Sequence, residues 1–338
     1  MADPVLIEVT RGPLVESRHR GAIVIVDAGG RRRAAIGDVE QAVFPRSAVK
    51  ALQALPLVES GAADAYGFGA AELALACSSH SGEPRHVATA AAMLARAGRS
   101  EADLECGVHM PVNEVAARDL IRAGKDPGPL HNNCSGKHSG FICLACHRGF
   151  PVRGYVEPDH PVQREITATL ADMTGARLDE STRGVDGCTI PTYAIPLDRL
   201  ALAFARFITG EGLSASRAAA ARRLAEACAA EPFMVGGSDS FGTRAMTELG
   251  RRLFVKNGAE GVYCAAFRDL GLAVALKCDD GASRASEVAI GAVIEAFLPE
   301  ATGRYAGQDV KNRRDAKVGE IRPVAGLVAA LRDGRPVN

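Results

Sequence analysis

The 338-residue chain has no net charge, because 40 lysines and arginines balance 40 aspartates and glutamates. No long-range field draws it to nucleic acid or an anionic membrane, and a small polar or zwitterionic substrate suits it better. It has no stretch approaching the roughly 18 to 20 apolar residues of a membrane span. Its first residues, Met1-Ala2-Asp3-Pro4, lack the basic-then-apolar pattern of an export signal, so a cytoplasmic location is expected. No internal repeat, low-complexity block or linker longer than a few residues is evident. Nine cysteines are an odd number, which excludes a fully paired disulfide framework. They sit in apolar surroundings such as Leu75-Ala76-Cys77 and Val262-Tyr263-Cys264-Ala265-Ala266, and read as reduced, buried thiols.

What is present is enough for a full core. With 47% hydrophobic residues the chain needs no structural metal or disulfide on grounds of size. The N-terminal segment alternates as strands do, with Gly21 to Asp27, a turn at Ala28-Gly29-Gly30 and a return through Ala34-Ala35-Ile36, which predicts a hairpin. From Arg46 to about Gly250 the pattern is mostly helical, with helices expected at Ser47 to Gly61, His86 to Gly98 and Ala218 to Ala230. Strand character returns in Arg252 to Lys256, Gly261 to Phe267 and Leu272 to Cys278. A final amphipathic helix is expected at Ser283 to Leu298, with a polar tail that wraps the body or frays. Strands at both ends around a helical middle imply an α/β fold whose one sheet is built from N- and C-terminal strands, without βαβ repetition.

Chemistry concentrates in a few short segments. Ser47 and Lys50, three residues apart at a helix start, face the same way, as a serine nucleophile with a lysine base requires. Taken alone, Ser-x-x-Lys is common at surface helix starts. The segment His131-Asn132-Asn133-Cys134-Ser135-Gly136-Lys137-His138 and the later Val185-Asp186-Gly187-Cys188 gather thiols, a lysine, a histidine and a carboxylate where no large apolar residue sits. On spacing alone, a zinc would take Cys134, His138, Cys188 and Asp186. Asp186 and Arg46 are complementary to the ammonium and carboxylate of an α-amino acid, and His138 could add a hydrogen bond. Cys143-Leu144-Ala145-Cys146-His147 matches the pattern of covalent haem attachment, but two buried helix thiols are the better reading.

Taken in order, Ser47-x-x-Lys50, Cys77-Ser78-Ser79-His80-Ser81, Asn133-Cys134-Ser135-Gly136-Lys137-His138 and Asp186-Gly187-Cys188 resemble the rhizobial-type, or class 3, L-asparaginases. These are relatives of the serine β-lactamases, penicillin-binding proteins and glutaminases. The resemblance runs from about Arg11 to about Val324. It implies an αβα sandwich of the serine β-lactamase-like type, a single catalytic domain over residues 1–338 with a helical subdomain at about 46–250. It implies hydrolysis of L-asparagine to L-aspartate and ammonia, with Ser47 as nucleophile and Lys50 as its base. Ser79 would pair with Lys256, in the Lys256-Asn257-Gly258 strand, as proton relay. Cys134, Lys137 and Cys188 would hold one zinc ion that organises the pocket, and the protein would be a homodimer. A glutaminase or β-lactamase-like serine hydrolase would share the Ser-x-x-Lys core, and a zinc-dependent binding or regulatory protein would share the cysteines alone. The stretch Met234 to Phe241 is less familiar than these motifs; it could close the pocket or lend a hydrogen bond from Ser238 or Asp239.

Overall fold

The computed structural model describes residues 2–334. They form two compact units. One is made of the chain up to Ala48, of Ile195–Ala205 and of everything from Val255 onward; the other is Val49–Ala194 with Arg206–Phe254.

The first unit is built on an eight-stranded sheet. Its order is Gln308–Lys311, Lys317–Pro323, Val5–Arg11, Leu14–Asp27, Leu272–Cys278, Val262–Phe267 and Leu253–Asn257, with Arg32–Ile36 also pairing on Leu14–Asp27. The long strand Leu14–Asp27 serves two neighbours in turn. Its first half alternates between exposed and covered residues and pairs antiparallel with Val5–Arg11, in the register Glu8↔Arg18. From Gly21 the strand is buried nearly throughout; it pairs with Leu272–Cys278 (Cys278↔Gly21 to Leu272↔Asp27) and with the return strand (Ile23↔Ile36). Such near-continuous apolar character is what a strand covered on both faces needs. The expected hairpin is there, its turn closed by the Asp27 carboxylate, which accepts from the backbone N–H of Gly29 at 3.1 Å and of Arg31 at 2.9 Å. Helix Ser283–Phe297 covers the sheet with small and branched residues, among them Ala285, Val288, Ala289, Ala292 and Val293. The fold is therefore α/β with one sheet assembled from both ends of the chain, as expected.

Of the two readings of the polar tail, wrapping the body is the one followed through residue 334: Gln308–Lys311 and Lys317–Pro323 extend the sheet and helix Leu327–Asp333 follows, while residues 335–338 lie outside the described residues. One expectation is corrected. The helix expected from Ser47 to Gly61 is broken into a 3₁₀ turn Arg46–Val49 and short helices Lys50–Gln53 and Leu55–Glu59, with Pro56 in the first turn of the last.

The second unit is helical. Helix Ser135–Arg148 is buried from Ser135 through Ala145 and packs against Ala70–Ala76 and Pro84–Arg96, while Ala215–Ala230 packs on the other contacts of Ala70–Ala76. Ala215–Ala230 starts where the Ser214 hydroxyl accepts from the Arg217 N–H. Two glycines in Ser135–Arg148 allow this packing, and Gly136 is the tighter of them. A Cβ there would lie 2.4 Å from both Cγ and O of Leu75. The first turn of one helix is thus pressed onto the last turn of Ala70–Ala76, which leads directly to Cys77, Ser78 and Ser79.

Candidate active site

In the second unit the side chains gather at the N-terminus of Ser135–Arg148. Asn132, buried, fixes this end: its side-chain oxygen accepts from the Cys134 N–H at 2.9 Å, and its amide N–H donates to the carbonyls of Cys106 (2.9 Å) and Gly107 (3.1 Å). Lys50 is buried to 1% exposure with no carboxylate partner among the described residues. Its donors go instead to Ser78 O at 2.7 Å, Ser79 Oγ at 3.0 Å and Asn133 O at 3.5 Å. A buried amine must be satisfied in this way, and the result ties Lys50 to Ser79. Sequence spacing had paired Lys50 with Ser47 alone. Ser79 is half-buried, and its backbone N–H is held by Val235 O at 3.0 Å.

Cys134, Lys137 and Cys188 come together. Lys137 Nζ donates to Cys188 Sγ at 3.0 Å, and Cys134 Sγ lies 3.3 Å from Asn133 Oδ1 with the Cys188 side chain beside it. The Cys188 side chain holds Cys134 well below the ordinary thiol range, and the nearby Lys50 and Lys137 cations assist against the cost of burial. Cys188 is pushed up, first by the Cys134 side chain and then by burial. For Lys137, burial opposes the charge but the Cys188 and Cys134 sulfurs outweigh it and raise its pKa. Two sulfurs and an amine nitrogen gathered at one buried point are a donor set that suits zinc once the thiols and the amine have given up their protons. The alternative of Cys134, His138, Cys188 and Asp186 is not assembled: among the described residues no three or more His, Cys, Asp or Glu side chains form a metal-holding group.

His138 is engaged elsewhere. Its Nδ1 lies 2.7 Å from the Tyr155 hydroxyl, which accepts in turn from the Glu105 N–H at 2.9 Å. Nδ1 and the tyrosine hydroxyl share one hydrogen bond, whereas Nε2 is buried with no partner among the described residues. Burial, helped by the Lys137 and Lys50 cations, keeps His138 neutral. Asp186 is half-buried in a turn where its N–H donates to Ile190 O at 2.9 Å, and its charge reaches Lys137 and Cys188. Thr189 next to Cys188 has φ 73°, a conformation that a β-branched residue adopts only when held. Its hydroxyl lies between Cys188 O at 2.6 Å and Glu105 O at 2.8 Å, which share its one proton. Glu105 and Tyr155 thus support both His138 and Cys188, and nothing in the sequence marks them. A third thiol, Cys106, is close to the site but is no ligand candidate: burial pushes its pKa up to about 12, and it donates to Pro129 O.

The first unit carries Arg46, Ser47 and Lys256. Arg46 has φ 51°, again in the left-handed region, and Ser47 follows it in the 3₁₀ turn, half-buried. Lys256 is 2% exposed and donates to Asn257 O (2.8 Å) and Asn257 Oδ1 (3.0 Å). A Cβ on Gly258 would meet Pro45 O at 2.4 Å, so only glycine lets the Lys256-Asn257-Gly258 strand end lie against the turn that presents Ser47.

Two further sequence readings resolve within the second unit. Met234 to Phe241 holds the Ser79 loop: Val235 O accepts from the Ser79 N–H at 3.0 Å, the Ser238 hydroxyl donates to Glu83 at 2.6 Å, and Asp239 accepts from Asn113 at 2.9 Å. Cys143 is a buried thiol pushed up to about 12 by burial, whereas Cys146 is only half-buried, and His147 bonds Ser60 O. All nine cysteines are free. Among the described residues no helix is long and apolar enough to cross a membrane.

The family model for L-asparaginase II matches residues 7–323. No curated protein matches the chain.

Proposed function

Because this chain belongs to the L-asparaginase II family, and is therefore an asparaginase amidohydrolase, we propose that it releases ammonia from L-asparagine through a serine–lysine mechanism. The hydroxyl of Ser47 attacks the side-chain amide carbon, forming the C–O bond, and its proton passes to Lys50, which must first release one of its own ammonium protons to act as base. Lys50 hands a proton to Ser79, and Ser79 protonates the amide nitrogen as the C–N bond breaks. Ammonia leaves; water then attacks the ester, releasing L-aspartate and returning the proton to Ser47. The observation that carries this reading is the 3.0 Å contact between Lys50 Nζ and Ser79 Oγ, which gives the proton a path from base to relay. Lys256 completes the relay as the second lysine. Arg46 and Asp186 would take the substrate α-carboxylate and ammonium, and His138 would add a hydrogen bond.

Cys134, Lys137 and Cys188 would hold zinc. When bound, zinc neutralises the two thiolates' charge and stiffens the floor of the pocket. The same proposal includes kinship with the serine β-lactamase-like enzymes, a cytoplasmic location and a homodimer. Exposed Val108, Met110, Val112, Val115 and Ile121, all close together in sequence, support an apolar interface.

The test is ammonia release from L-asparagine and L-glutamine, with Ser47→Ala beside the wild type and zinc measured on protein purified without chelator. Loss of asparagine turnover by at least about 1,000-fold in Ser47→Ala is expected. Near-normal turnover in that variant would refute Ser47 as nucleophile. Absence of zinc would refute the metal assignment, and faster turnover of glutamine would replace the substrate.

A further inference from the structure

Ser79 and Cys134 lie 55 residues apart in sequence and belong to different loops. Beside the Lys50 amine, one fully buried side chain joins those loops. His80 has no exposed surface. Its Nδ1 accepts from the Gly82 N–H at 3.1 Å, so the ring hydrogen must sit on Nε2, and Nε2 lies 2.9 Å from Ser135 Oγ. Ser135 accepts that proton and donates its own to Leu130 O at 2.9 Å. The direction of every bond in the chain is thereby determined. The backbone adds a parallel tie, with the His80 N–H donating to Asn133 O at 3.2 Å.

The opposite face of His80 is equally constrained. Its ring stacks on His86 at 5.0 Å with planes 16° apart, and His86 stacks on Phe233 at 4.5 Å and 12°. His86 repeats the same logic, accepting from the Glu83 N–H at 3.2 Å and donating from Nε2 to Phe233 O at 3.0 Å. Two residues beyond Phe233, Val235 O receives the Ser79 N–H. The Ser79 loop is therefore gripped on one side by the ring column and on the other by Ser135. Burial, with His86 and Lys50 adding to it, keeps His80 neutral and so preserves its one donor and one acceptor.

We propose that His80 is a positioning residue for the reaction: by donating Nε2–H to Ser135 Oγ it locks the Ser79 hydroxyl in register with the turn that carries Cys134 and Lys137. This rests on the reading of Ser79 as proton relay. A hydroxyl displaced by an ångström loses its line to the amide nitrogen, which lowers turnover far more than substrate binding.

The experiment compares His80→Asn, His80→Gln, Ser135→Ala, the double variant His80→Asn/Ser135→Ala and Ser79→Ala in kcat, KM for L-asparagine and melting temperature. An asparagine amide reproduces the Nδ1 position only, whereas a glutamine amide reaches the Nε2 position and can still donate to Ser135. Expected are kcat losses of about 10- to 100-fold in His80→Asn and Ser135→Ala with KM within about threefold, no further loss in the double variant, and recovery to within a few-fold in His80→Gln. Ser135→Ala removes a single oxygen, so it reads the link even if a His80 variant does not fold. Wild-type kcat in folded His80→Asn or Ser135→Ala, or losses that multiply in the double variant, would overturn the proposal while leaving the relay intact. Turnover retained in Ser79→Ala would remove the relay itself, and this inference with it.

Discussion

Replacing Gly136 by alanine sets two measurable effects against each other. Inside a helix, alanine is favoured over glycine by up to about 1 kcal/mol. At Gly136 the new methyl would lie 2.4 Å from Leu75 Cγ and Leu75 O and 3.0 Å from Leu75 C, so the two helices must part by about 1 Å. Overpacking of this kind costs about 1 to 3 kcal/mol, and a backbone carbonyl cannot rotate away as a side chain does. The clash wins, and a net loss of about 1 to 2 kcal/mol is expected. The displaced oxygen also accepts from the Ser78 N–H at 3.0 Å, so the strain passes directly to the loop that presents Ser79. Gly140 in the same helix is the control. There the nearest atoms are Leu57 Cδ2 at 3.3 Å and Ala76 Cβ at 3.5 Å, and the leucine methyl can yield. Urea unfolding and asparagine turnover should show Gly136→Ala less stable and about 10-fold or more slower, and Gly140→Ala neutral or slightly more stable. Equal behaviour of the two variants would refute the close approach on which the site's geometry depends.

Tyr155→Phe removes the acceptor of the part-buried Glu105 N–H and the partner of His138 Nδ1 together, which is expected to cost about 1 to 3 kcal/mol in urea unfolding; an unchanged midpoint would contradict that network. Acid is the second perturbation. Burial, the largest influence on all three, holds His80, His86 and His138 below the ordinary imidazole range. Below about pH 6.5 the unfolded chain therefore binds protons that the folded chain refuses, so their contribution is complete above that pH and is lost as pH falls. The slope reaches about 4.1 kcal/mol per pH unit for three protons, and unfolding midpoints that stay flat from pH 7 to 5.5 would exclude it.

Sequence reasoning reached the elements whose signal is local. Gly21 to Asp27 and Leu272 to Cys278 are apolar runs that only a covered strand needs, and Ala215–Ala230 announces itself by alanine content behind a serine cap. The strands Gln308–Lys311 and Lys317–Pro323 escaped because both carry charged, exposed positions and Gln308–Lys311 is the edge of the sheet. Lys317–Pro323 is placed by pairing with residues some 310 positions away, as in Glu8↔Arg322, Gln308–Lys311 pairs on it in turn, and no local pattern encodes that register. The break after Gln53 was visible only as Pro56, which a helix tolerates in its first turn and therefore does not by itself mark an interruption.

The residue types of the site were legible, but their partners were not. Lys137 and His138 are the instructive pair. Counted from Cys134 they sit at i+3 and i+4, both on its face of a helix, so spacing admits either as its neighbour. Usually the exposed face of a helix fixes its phase and decides such a case. Ser135–Arg148 offers none over its first eleven residues, being buried from Ser135 through Ala145. The choice falls to long-range partners instead: Cys188, 51 residues on, takes Lys137, and Tyr155 takes His138. Each partner has a second anchor, Thr189 for the Cys188 turn and the Glu105 N–H for Tyr155, and both anchors converge on Glu105. One backbone segment thus sorts two adjacent helical side chains into different roles, a relation carried by the fold and absent from any motif.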